Sequence, residues 1–386
     1  MKKILMGLMG LMGLMGIAAC GTTEKGEPID AGSEIIGHVT DSHSWHLFDY
    51  SSGGEEHAVA IPLPVILVND GHLELFMSSK FHHGHAVYQG KYGTYALVGG
   101  GAEKEEIVCV EPLVGCEFPE DGYIDGNGKH YQRVKTLQME DEKPIDLSIT
   151  KTSAAIMIAV VLLIVIIMLA KKGYKKRPNQ APHGLQSLVE LLVVFVRDDI
   201  VKPMIGEKHY RKYLPYLLTL FFFIFFCNIL GLIPIFPAGA NINGSLAVTA
   251  TLAVITFLIT NISGNKHYWT DIFNTPGVPA WLKIFPLMPV VELVGVFTKP
   301  IVLMIRLFAN MTAGHIVILG FIFIIYIISQ LFGMVAGGAV SVFSVLFCVF
   351  INLLECLVAY LQAFVFTMLS ALYIGMAVEE PHHAEA

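Results

Sequence analysis

The chain has 386 residues, of which 54% are hydrophobic and only 15% are charged, against roughly 25% charged residues in a typical soluble domain. This composition argues against an all-soluble enzyme and against a disordered or collagen-like chain. Charge divides the sequence: residues 21–150 carry 22 acidic and 8 basic side chains, whereas residues 151–386 carry 10 and 15. Two physically different regions follow one another, and no long basic patch indicates a nucleic acid as partner.

The first 19 residues are predicted to form a signal peptide. Lys2 and Lys3 precede about a dozen apolar residues, which is short of the roughly 20 that span a bilayer but typical of a signal peptide. The following Ile-Ala-Ala-Cys resembles a bacterial lipobox, so Cys20 is a candidate for lipidation; ordinary cleavage near the same place is the alternative. Either way, residues 20–145 are expected to be exported.

This exported region is predicted to be a small β-rich domain. Short apolar runs (IPLPVILV, LELFMSS, YALVGG, EIVCV) alternate with polar segments, and residues 125–128 (DGNG) favour a turn. Cys109 and Cys116 are candidates for a disulfide in an exported domain, with two free thiols as the alternative. Histidines cluster in FHHGH at residues 81–85, but their spacing matches no specific metal site. We therefore predict no bound metal.

The first membrane-spanning helix is predicted at residues 152–170, which are uncharged. Five Lys or Arg residues follow within 171–177, and ten lie within 171–212. Because basic residues concentrate on the cytoplasmic side, this helix is expected to run inward. Residues 183–205 are predicted to form an amphipathic helix lying on the membrane.

Four further spans are predicted at residues 213–236, 245–263, 290–330 and 339–378. Each of the last two is about 40 residues, or about 60 Å as a helix, twice the hydrocarbon thickness of about 30 Å. No polar turn divides either one, which favours a long tilted hairpin over arms broken into pieces. The sequence thus predicts an all-α polytopic membrane protein of about five transmembrane helices, with a β-rich extracytoplasmic domain and a cytoplasmic C-terminus.

Arg306 is the most unusual residue of this hairpin. No acidic or basic residue lies within six positions of it, its guanidinium stays protonated, and a charge at mid-membrane is costly. It therefore needs a carboxylate from elsewhere or a watery cavity. The alternatives are a side chain that reaches the membrane interface and a static ion pair with Glu355.

Helix periodicity groups the neighbouring polar residues. Asn310 lies four residues after Arg306, on the same face, whereas His315 lies nearly half a turn round. On the second arm, Glu355 and Gln362 are seven apart and share a face. Antiparallel arms would bring Glu355 to His315, and a His–carboxylate pair suits proton transfer. A hydrogen bond that only orders the hairpin is the alternative.

The segment 292–315 (ELVGVFTKPIVLMIRLFANMTAGH), with Glu355 and the downstream LQAFVF, resembles subunit a of the rotary F-type ATP synthase. The similarity extends over about 145–380, and includes HGLQSLVELLVVFVRDDI at 183–200. It implies a non-catalytic stator subunit without cofactor in a bacterial inner membrane. Its implied partners are the c-subunit ring, the peripheral-stalk subunit b, the other synthase subunits and the lipid bilayer.

The resemblance also implies roles for single residues. Arg306 matches the arginine that faces the ring between two aqueous half-channels, with Asn310 and Gln362 as its polar neighbours. His315 and Glu355 match the pair lining one half-channel, in the reverse order from many bacterial relatives. Glu292 and Lys299 match polar positions toward the cytoplasm.

Two other classes of protein compete with this interpretation. A secondary transporter would use Arg306 to bind an anionic substrate, but the sequence shows no inverted repeat and no paired broken spans. An exported domain with a passive membrane anchor would not require five ionisable side chains in its last hairpin. The choice between H⁺ and Na⁺ depends on the ring rather than on this chain.

Overall fold

The computed structural model describes residues 32, 36–37, 40–52, 55–84, 86–100, 103–112, 123–124, 130–133, 143–176, 181–233, 241–273 and 287–379. The predicted signal peptide, Cys20, Cys116 and the predicted turn at 125–128 lie outside these residues. Contacts divide the chain into a first unit, Met1–Ala155 with His315–Ile351, and a second unit, Ile156–Gly314 with Asn352–Ala386.

The N-terminal region of the first unit consists of short antiparallel strands. They are β1 (Ser44–Ser52), β2 (Glu55–Pro62), β3 (Pro64–Asn69), β4 (His72–Met77), β5 (Tyr88–Gln89), β6 (Thr94–Gly100), β7 (Glu103–Pro112), β8 (Tyr123–Ile124), β9 (His130–Arg133) and β10 (Ile145–Asp146). These strands form three sheets, in the orders β1-β2, β10-β3-β4 and β5-β6-β7-β9-β8. The prediction of a small β-rich region is confirmed, and each of the four apolar runs contributes to a strand.

A compact core lies between the three-stranded and five-stranded sheets. It is formed by alternate residues of β3, β4, β6 and β7 with Phe81, so that Val65, Leu67 and Tyr95 have no exposed surface. Cys109 of β7 is buried in this core. The β3–β4 turn consists of Asp70 and Gly71, with φ of +48° and +78°, as a tight hairpin turn requires.

In the described part of the chain, seven helices of eight or more residues follow the strands. They are α1 (Lys151–Lys176), α2 (Leu185–Phe195), α3 (Tyr210–Leu232), α4 (Leu246–Ser263), α5 (Lys266–Phe273), α6 (Leu287–Phe332) and α7 (Met334–Val378). After α2 the chain continues through a π-helical stretch, Val196–Val201, and a four-residue α-helix, Lys202–Ile205. Five helices (α1, α3, α4, α6 and α7) are long and apolar enough to cross a membrane, which confirms the prediction of a polytopic membrane protein.

The ends of α3 and α7 are set by local interactions. Helix α3 ends at Leu232 because Ile233, which precedes a proline, adopts an extended conformation with ψ of 110°; the sequence-based span continued to residue 236. Asn265 donates from its backbone and side chain to Ala377 O and Val378 O, at 2.9 and 3.0 Å. These bonds satisfy the last carbonyls of α7.

The last two arms are single helices of 46 and 45 residues. They are separated only by Gly333, whose φ of +88° is readily available to glycine. Beyond it, a side chain at Gly337 would overlap Ser329, so this glycine permits a close approach of the two helices. The unbroken-arm prediction is therefore confirmed, although Pro300 lies inside α6.

The second unit has a continuous core formed by α3, α6, α7 and the segment after α2. Leu217, Phe221, Leu307 and Ile374 are almost completely buried in it. Gly375 of α7 contacts the backbone of Met204 so closely that any Cβ would overlap the Met204 carbonyl. This core fixes the relative positions of the helix faces that carry the polar residues.

Candidate functional site

Arg306 and Asn310 lie at the edge of the buried face of α6. Leu303, Leu307 and Met311, spaced four residues apart, are buried against the core of the second unit. One position earlier on the helix, Arg306 is half-buried and Asn310 is exposed. Arg306 and Asn310 therefore lie side by side at the edge of this buried stripe, near the surface of the unit. This agrees with the sequence-based prediction that they share a face.

No carboxylate of this unit neutralises Arg306. Among the described residues of the second unit, no Asp or Glu oxygen lies within 4.0 Å of its guanidinium. This arrangement speaks against the static pair with Glu355. Toward the start of α6, half-buried Lys299 places Nζ 5.4 Å from the centre of the Tyr373 ring, a cation–π contact. Glu292, seven residues earlier, is also half-buried.

Glu355 of α7 is a buried carboxyl group with only 6% of its surface exposed. Neither oxygen has a hydrogen-bond partner among the described residues of its unit. Gly314 of α6 lies directly opposite, and a methyl group at that position would overlap the carboxyl group. The missing side chain of Gly314 thus provides the space that Glu355 occupies.

The other predicted residues lie on the same two helices. Gln362 is buried on the face of α7 that carries Glu355 and Ala359, as its seven-residue spacing from Glu355 predicts. His315 is half-buried and directly follows Gly314. The pairings of His315 with Glu355 and of Gln362 with Arg306 remain predictions.

This polar region also contains three asparagines that were not predicted from the sequence. Asn228 of α3 donates to Ala359 O of α7 at 3.2 Å, and Asn243 donates to Asn228 Oδ1 at 2.6 Å. Asn241 approaches Met311 O of α6 at 3.4 Å. Helix α3 therefore places the Asn228 amide one helical turn along α7 from Glu355, and the α3–α4 connection places the Asn241 amide about one turn along α6 from Gly314. A signal was present, since Asn228 is an isolated amide within the apolar run FFFIFFCNIL.

A second buried polar cluster lies in the first unit, around His43. Its Nε2 is 2.8 Å from Asp146 Oδ2, its Nδ1 is 3.4 Å from Glu105 Oε2, and its backbone NH donates to the same Glu105 oxygen at 2.8 Å. Burial alone would lower the pKa of His43, but the hydrogen bonds to Asp146 and Glu105 raise this pKa to about 9. Partial burial opposes ionisation of Asp146, yet the bonds from His43 and Ser148 lower its pKa to about 2.

This His43 cluster fastens the strands to the first membrane helix. Ser42 O accepts from Lys151 NH at 2.9 Å, and Asp41 Oδ1 accepts from Thr152 NH at 2.9 Å. These acceptors satisfy donors that the first turn of a helix leaves free. His43 thus has both its partners within its own unit, beside the hydrogen bonds that attach the strands to α1. Among the described residues of the second unit, by contrast, Glu355 has no hydrogen-bond partner and Arg306 has no carboxylate.

Taken together, these features define a polytopic membrane protein that holds ionisable side chains within its longest apolar helices. The family profile described as ATP synthase A chain matches residues 153–375, more than half of the sequence. The chain belongs to this family, and the resemblance to subunit a of F-type ATP synthase is confirmed. A second profile, described as a domain of unknown function (DUF8433), matches residues 34–147.

Similar proteins carry the same description. ATP synthase subunit a of Pelodictyon phaeoclathratiforme is 45% identical over 247 residues, covering 62% of this chain and 68% of the relative. ATP synthase subunit a 2 of Chlorobium luteolum is 47% identical over 249 residues, covering 63% and 69%. ATP synthase subunit a of Myxococcus xanthus is 42% identical over 246 residues, covering 62% and 76%.

Proposed function

We propose that this chain is the ion-conducting stator of an F-type ATP synthase, with two aqueous half-channels that couple ion flow to rotation of a c-subunit ring. The observation that carries the proposal is the half-buried Arg306, whose guanidinium meets no carboxylate of its own unit among the described residues. A permanent intramembrane cation on the edge of a helix is suited to an acid supplied by another chain.

The mechanism follows from electrostatics. A ring carboxyl group must be neutral while it faces lipid and must ionise near the stator. The positive charge of Arg306 stabilises the ionised form as that group passes. The same fixed charge repels a free proton or Na⁺, so that ions cannot pass directly between the half-channels. A membrane potential adds about 2.3 kcal/mol per charge per 100 mV.

Glu355, with its unbonded oxygens, is proposed to relay protons in one half-channel. Proton uptake and release at this carboxyl group breaks no hydrogen bond to a described residue of its unit. Next to Gly314, His315 supplies a titratable partner, and Asn228 with Asn243 offers amide groups along the route. Glu292 and Lys299 are proposed to line the cytoplasmic half-channel.

The remaining assignments complete the proposal. Residues 1–19 are a signal peptide, Cys20 is a lipidation site, residues 20–145 form an exported domain, and residues 146–386 form the membrane domain of a bacterial inner-membrane protein with a cytoplasmic C-terminus. Cys109 and Cys116 form a disulfide. Besides the ring, the proposed partners are subunit b, the other synthase subunits and lipid, without cofactor or metal.

A cross-linking experiment tests which face of α6 meets the ring. A photo-cross-linking amino acid at Asn310 should capture a small two-helix subunit carrying one mid-membrane carboxyl group. The matched control is Ile301, which is also exposed but lies about 140° round the helix from Arg306. Capture of the small subunit from Ile301 but not from Asn310 would contradict the assignment.

A further inference from the structure

The three-stranded sheet β10-β3-β4 exposes an apolar face. Inward residues of β4 alternate with Leu73, Leu75 and Met77, which are 63%, 68% and 43% exposed. Ile145 and Leu147, on the strand at the opposite edge, are 65% and 59% exposed. We call these five residues the outer sheet face. Isolated exposed leucines are ordinary, but a contiguous patch indicates an interaction surface.

The strand register shows that the five residues share one side. Leu73 pairs with Val68, which pairs with Ile145, and Leu75 pairs with Ile66. Leu147 NH donates to Ile66 O at 2.9 Å. Since side chains opposite one another in a ladder point to the same side, the outer sheet face is continuous across all three strands, and it contains no ionisable side chain.

The outer sheet face leads directly into the first membrane helix. Ile149 NH donates to Pro64 O at 3.1 Å, so the chain stays attached to β3 until two residues before α1 begins at Lys151. The bonds of Ser42 and Asp41 to the first turn of α1 hold the same junction. The chain is therefore hydrogen-bonded to the sheet up to the first turn of α1.

Helix length places this junction at the membrane surface. The uncharged stretch 152–170 of α1 is about 28 Å long at 1.5 Å per residue, close to the hydrocarbon thickness of about 30 Å. Lys151 then lies at the hydrocarbon boundary. Leu147 is four residues away, at most about 13 Å, and the headgroup layer beyond the boundary is about 6 Å thick.

We propose that the outer sheet face rests on the bilayer, inserting its aliphatic side chains between the lipid headgroups of the leaflet that α1 enters. The face consists only of Leu, Ile and Met, and it continues along the chain into a helix that is long and apolar enough to cross the membrane. An apolar face binds a membrane by burying itself in the headgroup region, with a strength that scales with the apolar area buried. The test must distinguish contact with lipid from contact with a protein partner or with a second copy of this chain.

The test places a benzophenone amino acid at Leu75 or Leu147 of the full chain, in the assembled complex and its own membrane. Irradiation followed by mass spectrometry identifies what each position contacts. The matched control is Tyr92, which is 42% exposed and lies on the opposite side of the sheet, where its ring stacks on His72 at 4.3 Å. Assembly of each variant is checked by copurification with the other subunits.

We expect phospholipid adducts at Leu75 and Leu147 in about tenfold excess over Tyr92, the factor that burial of roughly one leucine side chain supplies. Adducts to a protein chain, equal lipid labelling at Tyr92, or no adduct at either position would overturn the proposal. As an independent measurement, brominated lipids should quench the fluorescence that Leu75→Trp adds to that of the three native tryptophans, and should leave the fluorescence added by Tyr92→Trp unchanged. Equal quenching of the two tryptophans would also overturn it.

Discussion

The two regions of this molecule differ in whether their ionisable side chains have partners within the same unit. In the β-rich region His43 lies between Asp146 and Glu105, and both ring nitrogens face a carboxylate. In the membrane region Arg306 has no carboxylate of its own unit among the described residues, and Glu355 has two unbonded oxygens. Removing one partner of a buried ion pair leaves an uncompensated charge and destabilises the fold. A polar group that its own unit leaves unsatisfied requires another explanation, and a functional role is one. Substitution of His43 should therefore reduce stability and leave pumping intact, whereas substitution of Arg306 or Glu355 should reduce pumping and leave assembly intact.

The largest effect is expected from Arg306. Arg306→Ala should reduce ATP-driven proton pumping in inverted membrane vesicles to background. Without the positive charge of Arg306, nothing stabilises the ionised form of the ring carboxyl group as it passes. Arg306→Lys keeps the charge but not the planar fork of the guanidinium, and should restore only part of the pumping. Both variants should assemble normally; normal pumping by Arg306→Ala would refute the stator assignment.

The next effect is expected from Glu355. Glu355→Gln keeps the shape but cannot carry a proton, so pumping should fall about a hundredfold, the low end for a positioned proton-transfer group. Asn352→Ala, one turn earlier on α7, is the control and should pump nearly normally. The double exchange His315→Glu with Glu355→His should retain more activity than either single change. If all three lost activity equally, the two residues would not act as a pair.

A smaller effect is expected from Gly314. Gly314→Ala places a methyl group where the Glu355 carboxyl lies, so the end of the Glu355 side chain must move aside. Overpacking costs about 1–3 kcal/mol, and this movement should keep the cost at the lower end. The melting temperature and the pumping rate should both decrease. Gly295→Ala is the matched control on the same helix, since nothing lies within 4 Å of its added methyl group. Equal behaviour of the two variants would show that α6 shifts to accept the methyl group.

The smallest effect on pumping is expected from His43. The pKa of His43 is about 9 in the folded chain and 6.5 in the unfolded reference. Its contribution to stability is thus complete below pH 6.5 and is lost as the pH rises through 9. The protection factors for hydrogen exchange in β3 and β10, which are corrected for the base-catalysed intrinsic rate, should decrease over that range in the unmodified protein. His43→Gln should remove this decrease. Conversely, a pumping defect in His43→Gln would mean that the two regions are coupled.

Much of the membrane fold could be predicted from the sequence. Long apolar segments without polar interruption predict helices because hydrocarbon leaves the backbone no other hydrogen-bond partners. The uninterrupted arms and the isolated Arg306 follow from residue order alone, as does the shared face of Glu355 and Gln362, which depends on helical period. Short apolar runs separated by polar segments likewise predicted the strands β3, β4, β6 and β7.

Only the tertiary structure decided which polar groups meet. Asn228 of α3 donates to Ala359 O of α7, 131 residues away, and accepts from Asn243, 15 residues away. Gly314 provides space for a carboxyl group 41 residues away in the sequence. His43 meets an acid 103 residues away, and β10 carries the outer sheet face directly into α1. Periodicity fixes which side of one element a residue occupies, but contacts between elements depend on how the whole core packs. For that reason the sequence determined the elements and their polar residues, and the packing determined their partners.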